Sequence, residues 1–156
     1  MANFLRTVEF LCLSLWLGSD VFLSFVVAPG AFRVLASRDQ AGAVVGYSLG
    51  WMHMIGVICG VVFLVVRFLR TRSFTTLVAP ATLCVVLMIF LTVVSQRAVS
   101  PRMAQLRVQM GSIAATAEGD SRLGEFQKLH RRSVLLESGV LLAGIAAMAW
   151  LVREHN

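Results

Sequence analysis

Charge is scarce in this sequence. Charged residues make up 14% of the 156 residues and hydrophobic residues 58%, against roughly a quarter charged in a water-soluble domain. That balance excludes a soluble globular domain. It excludes a disordered chain as well, since there is ample apolar surface to bury. Cysteine is confined to Cys12, Cys59 and Cys84, an odd number lying inside apolar runs, which reads as small packing residues and gives no basis for a disulfide framework. There is no Gly-rich phosphate loop, CxxC, HExxH or nucleophile elbow, so the sequence leans away from an enzyme. The net charge of +6 does not point to nucleic acid, because the basic residues flank apolar runs instead of lining a groove-reading surface.

What the chain has instead is long uncharged stretches. Gln40 to Val66 and Ser73 to Gln96 contain no Asp, Glu, Lys or Arg, while Phe10 to Phe32 is interrupted only by Asp20 and Ser133 to Val152 only by Glu137. Each exceeds the roughly 20 apolar residues that cross a bilayer core. Strand-type alternation is absent, and four spans cannot close a barrel, so the spans are helices. The reading is all-α: a single integral membrane domain, a four-helix transmembrane bundle with spans near 4–35, 41–66, 74–98 and 124–152. Glu9 interrupts the stretch after Arg6 and no small-x-small cleavage site follows promptly, so the first run is taken as a retained helix.

Ser100-Pro101 reads as a cap followed by proline at a first helical position. Met103, Leu106, Met110, Ile113 and Ala117 then recur at helical spacing, which predicts a short amphipathic helix over 101–118 between spans three and four, lying in the interface or extending span three into water and ended by Glu118-Gly119-Asp120-Ser121. Four spans put both termini on one side. Counting Lys and Arg favours termini outside and the 3–4 connection in the cytoplasm, against a compact Arg67/Arg70/Arg72 cluster at the opposite end. A bacterial inner membrane is the expected location and the lipid bilayer the expected partner.

The residues that demand explanation are ionisable groups deep in the spans. A carboxylate at a helix centre costs roughly 2.5–3.5 kcal/mol on insertion scales, so it turns inward, pairs or stays protonated. At ~1.5 Å per residue, Asp20, His53 and Glu137 all lie ~20 Å from the connection end, which predicts one shared layer. Helical phase agrees. Glu9, Cys12, Trp16, Asp20 and Ser24 share one face of span one; Phe126, His130, Ser133, Glu137, Gly144 and Met148 share a stripe on span four. On span two, Gly46, Gly50, His53, Gly56 and Gly60 share a face whose small-xxx-small steps invite a neighbouring helix, within the chain or from a second copy. Pro29 predicts a kink or helix end late in span one, and Trp16 a packing anchor. The Met52-His53-Met54 triplet suits copper(I) in ligand type, but consecutive helical side chains diverge by ~100° and cannot chelate from one face.

Several of these residues carry a likeness. Trp16-Leu17-Gly18, the run from Ser24 to Pro29, Phe32, Ser100-Pro101-Arg102, and Phe126-x-x-Leu129-His130-x-x-Ser133 together resemble the transmembrane protein 205-like family, a four-helix membrane domain of unknown function. The resemblance covers nearly the whole chain and implies the architecture but no assigned activity. Where that family shows Asn seven residues after the His, this chain has Glu137.

Three functional readings follow. In the first, Asp20, His53, His130, Ser133 and Glu137 form an intramembrane site that binds or conducts a cation, proton or small polar ligand. In the second, His53 and His130 hold a b-type haem. In the third, the protein is a scaffold that self-associates as a homo-oligomer through Gly50 and Gly56.

Overall fold

Four long helices account for most of the chain in the computed structural model, which describes residues 1–154. Span one is Asn3–Val34, span two Arg38–Thr71, span three Pro80–Met110 and span four Ser121–Arg153, each long and apolar enough to cross a membrane. Lengths of 31 to 34 residues correspond to about 46–51 Å, against a hydrocarbon core of ~30 Å, so every helix carries turns beyond the oil.

Local chemistry sets the ends. Ser37, in extended backbone, accepts a hydrogen bond from the Gln40 amide at 3.1 Å and starts span two, with Asp39 in the positive first turn. Span two stops at Arg72, whose left-handed backbone (φ 48°) lets its N–H reach the Phe68 carbonyl. A 3-10 turn, Phe74–Val78, precedes Pro80, which opens span three at its first turn. Asp120 caps span four by accepting from the Arg122 amide at 2.8 Å.

Both prolines late in the odd-numbered spans behave differently from expectation. Residues Leu23–Val27 form a π turn two residues before Pro29, and Ser95–Val99 form another two residues before Pro101. A proline in a helix removes the bond to the carbonyl four residues back. The wider turn shifts the bonding by one residue, so Ala28 N–H reaches the Leu23 carbonyl and Ser100 N–H the Ser95 carbonyl. Pro29 therefore does not end span one, which runs on to Val34. Pro101 likewise does not start a new helix. The separate amphipathic helix expected over 101–118 is corrected: of the two placements, the extension of span three holds, and only as far as Met110, where it stops at Gly111 (φ 70°). Residues 111–120 form an irregular connection. It is pinned to span two by Asp39, which accepts from Ser112 Oγ at 2.6 Å and the Ile113 amide at 2.9 Å.

The helices pack as an up-and-down bundle. Span one lies chiefly on two and span three on four, with two–three and one–four contacts closing the ring. The apolar core consists of Leu13, Trp16, Cys59, Phe63, Val85, Met88, Val140, Ala143, Ala147 and Leu151. Trp16 is 1% exposed and sits on Gly56 and Gly60. A Cβ at Gly56 would meet the Trp16 indole nitrogen, and one at Gly60 would lie 2.7 Å from its six-membered ring.

The outer surface is apolar, unlike that of a soluble protein, and several polar residues lie within. Leu11, Phe22, Trp51, Ile58, Phe90 and Leu142 point outward, while Glu9, Asp20, His53, Arg67, Thr92 and Ser95 are buried. An apolar outer surface of this extent needs a bilayer around it, so the protein is an integral membrane protein.

Candidate functional site: a polar layer inside the bundle

The buried polar residues fall into two layers separated by the apolar core. In span one the order is Asp20, then Trp16 and Leu13, then Glu9. In span two it is His53, then Gly56, Cys59 and Phe63, then Arg67. In span four it is the partly buried Glu137, then Val140, Ala143 and Ala147, with the exposed Glu154 just past the helix end reaching back to the second layer.

The first layer centres on His53, which is 1% exposed. Its Nε2 lies 2.6 Å from Glu137 Oε1 and its Nδ1 lies 2.8 Å from Gln96 Oε1. Glu137 Oε1 also accepts from Ser95 Oγ at 3.2 Å. Three spans thus meet at one imidazole. The π turn explains how span three supplies two neighbours at once: Ser95 reaches span four and Gln96 reaches span two. With the Gln96 amide placed this way both ring nitrogens donate, which describes an imidazolium against a carboxylate. Turning the amide over would offer Nδ1 an N–H and fit a neutral ring. The geometry accommodates either form of the ring, according to which way the Gln96 amide faces.

Asp20 completes the layer from span one. It is 1% exposed, its Oδ1 accepts from Ser24 Oγ at 3.4 Å, and it lies close enough to feel the charges of Glu137 and His53. Asp20 Oδ2, Glu137 Oε2, Trp16 Nε1 and Thr92 Oγ1 are buried without a hydrogen-bond partner among the described residues. Buried polar atoms are almost always satisfied, so four unpartnered ones near one layer set it apart from the apolar core.

The expected site residues divide. His53 and Glu137 touch, and Asp20 sits beside them. Ser133 is buried one turn before Glu137, with no hydrogen bond into the layer among the described residues. His130 is not brought in: it is exposed, in a shallow groove with Phe126, Gln127, Arg131 and Val134. The buried stripe of span four runs through Phe126, Ser133, Val140, Gly144, Ala147 and Leu151, and His130 falls roughly 60° from its centre by helical phase. A haem between His53 and His130 does not fit, because both nitrogens of His53 are engaged and His130 faces outward. No group of three or more His, Cys, Asp or Glu able to hold a metal occurs among the described residues. The glycine face of span two is also used differently. Gly56 and Gly60 receive Trp16 from the same chain, and only around Gly50 is there open space within that set of three.

Ser95, Gln96 and Thr92 were not anticipated. They lie at the tail of an uncharged run and carry no signal of their own. Pro101 held the signal, since a proline five or six residues on implies a displaced turn there.

The second layer is ionic. Glu9, 0% exposed, accepts from Arg67 Nη1 at 3.3 Å and Arg70 Nε at 2.6 Å. Arg67 Nη2 also donates to Glu154 Oε2 at 2.6 Å, and the guanidinium carbon lies over the Phe63 ring. This ties spans one, two and four at the end opposite the connection.

A four-helix membrane protein with titratable groups sealed in its interior is the class these features define. Within that class, the chain belongs to the family described as a domain of unknown function (DUF4149), which matches residues 11–112. The match spans Asp20, His53, Ser95 and Gln96 and stops short of Glu137, and it does not carry the transmembrane protein 205-like name. No curated protein and no solved structure matches the chain.

Proposed function

We propose that the protein binds a proton at the intramembrane layer and passes it among Asp20, His53 and Glu137. One observation carries the reading: a buried imidazole held between Gln96 and Glu137, with a carboxylate oxygen on each of Asp20 and Glu137 left without a partner. Two carboxylates and one imidazole in a low-dielectric interior hold fewer charges than they have ionisable groups, so at least one extra proton resides there. A proton needs no ring of ligands, unlike a metal cation. The apolar core and the Glu9–Arg67 ion pairs close the site toward the termini end, which favours binding and exchange from the connection end over an open channel.

The test is a pH step on the purified protein in lipid, followed by infrared difference spectroscopy, with passive proton flux into vesicles measured alongside. Carboxyl and imidazole bands are expected on the step, the carboxyl bands diminished in Asp20→Asn and Glu137→Gln. If both variants merely melt earlier in detergent and leave the bands and the flux unaltered, the layer is a packing device.

A further inference from the structure

The proton reading gives no role to Thr92, which is 1% exposed and holds a hydroxyl without a partner among the described residues. A repeat in the chain supplies one. The two π turns, Leu23–Val27 and Ser95–Val99, are 72 residues apart, and so are the prolines that follow them, Pro29 and Pro101. From Leu11 to Pro29, 17 of 19 positions are buried, half-buried or exposed to the same degree as the residue 72 further on. Two amphipathic helices can always be slid into phase, but here the π turn and the proline fix the register independently of burial. Spans two and four match at an offset of 84, the separation of His53 from Glu137. Gly56, Gly60 and Phe63 then fall on Val140, Gly144 and Ala147, all of them buried.

Packing identifies the operation that relates the halves. A Cβ on Gly60 would meet Trp16 and Ile89, and one on Gly144 would meet Met88 and Leu17. Trp16 and Met88 are counterparts, as are Leu17 and Ile89, so exchanging the halves carries one set of neighbours onto the other. The one–two and three–four interfaces are correspondingly alike in extent, and the two–three and four–one interfaces are both smaller. The two hairpins are thus related by a pseudo-two-fold axis along the bundle. His53 and Glu137 are counterparts in contact, so their contact straddles that axis.

The same exchange carries Asp20 onto Thr92. Both are 1% exposed, and each keeps an oxygen buried and unpartnered among the described residues. Ser24, which donates to Asp20, falls on Gln96, one turn beyond Thr92, whose amide also carries donors. Leu23 falls on Ser95, which donates to Glu137. The first half therefore brings an acid to the His53–Glu137 pair, and the second half brings hydrogen bonds.

We infer that position 92 is a second seat for a carboxylate of the layer, equivalent to position 20 across the axis. The inference rests on the proton reading for what the carboxylate does, and on the repeat for where it can stand. Transporters built from parallel repeats keep their sites on the interface between the halves, which is the place His53 and Glu137 occupy. The side chains of Asp and Thr differ by a single heavy atom, so an acid at 92 enters space that is already polar.

The test is infrared pH titration of the full-length protein in lipid. Asp20→Asn is compared with the swap, Asp20→Asn/Thr92→Asp, and each is repeated with Glu137→Gln added. Asp20→Asn is expected to lose a carboxyl band and the swap to regain one. Adding Glu137→Gln should shift the regained band, as it shifts the Asp20 band in an otherwise wild-type chain. Asp20→Asn/Ser19→Asp is the control. Its acid stands on the adjacent half-buried position of span one, about 100° round the helix, and its band should ignore Glu137→Gln. A swap whose band is missing, or is as indifferent to Glu137→Gln as the control, overturns the second seat; the loss in Asp20→Asn leaves the proton reading standing in that case. Bands unaltered in Asp20→Asn would instead remove the proton reading, and the second seat with it. Melting in detergent carries the test if Asp20→Asn folds poorly, since the swap should then regain stability; a swap that folds worse than Asp20→Asn overturns the inference.

Discussion

Replacing Gly56 by alanine is the sharpest test of how span one meets span two. A methyl group there would land on the Trp16 indole nitrogen and the atoms beside it, closer than any real contact allows. Trp16 cannot withdraw freely, because it is 1% exposed and its far edge already rests on Gly60. Overpacking of this kind costs about 1–3 kcal/mol. The intrinsic helix preference of alanine over glycine offsets up to ~1 kcal/mol of that. Gly50→Ala is the internal control, since nothing lies within 4 Å of its would-be methyl, so only the favourable helix term acts. Denaturant titration in mixed micelles should show Gly56→Ala less stable than Gly50→Ala by about 1–3 kcal/mol. Trimming the ring in Trp16→Phe should recover part of the loss in the double variant, a positive coupling read from a double-mutant cycle. If Gly56→Ala proves as benign as Gly50→Ala, with no coupling to position 16, the indole is not seated between these helices and the packing argument fails.

Other consequences can be checked with the same preparations. Arg67→Ala strands the fully buried Glu9 with only Arg70, and should destabilise the bundle by about 3–5 kcal/mol in denaturant titration. Exchanging Glu9 and Arg67 together for Gln and Met should cost clearly less, and equal losses would refute the pairing. At the start of span four, the Arg122 guanidinium beside Asp120 holds that carboxyl below its ordinary range. A depressed folded value means the capping contribution is present above the ordinary Asp range and lost as pH falls through the folded value. Amide protection factors at Arg122–Gly124, taken against the intrinsic exchange rate at each pH, should therefore fall in acid, and Asp120→Asn should remove that fall; an unchanged acid response in the variant would contradict it.

Much of this arrangement was legible in the sequence, and the failures share a cause. Four spans followed from the scarcity of charge, and the common height of Asp20, His53 and Glu137 followed from rise per residue alone. Helical phase brought His53 to Glu137 because both lie mid-helix, where the bundle is tight. The same phase argument failed for His130, which lies where the helices protrude and only the centre of the stripe stays covered. Ser95 and Gln96 were hidden for a different reason. Their aim depends on a π turn, which breaks the 100° step on which wheel arguments rest. The end of span three was misjudged because proline at a helix start and proline after a widened turn look alike in one dimension. The buried role of Arg67 was read as interfacial charge, since nothing local distinguishes an arginine that faces lipid headgroups from one clasped between two acids.

That clasp has a bearing on biogenesis. Glu9 leaves the ribosome first, Arg67 and Arg70 follow on the second helix, and Glu154 emerges only after the fourth. The first two helices can enter the bilayer as a neutralised hairpin, each answering the other's charge before either is committed to oil. The guanidinium then waits, half answered, until the last helix delivers its carboxylate, so translation itself sets the sequence in which the bundle is fastened shut.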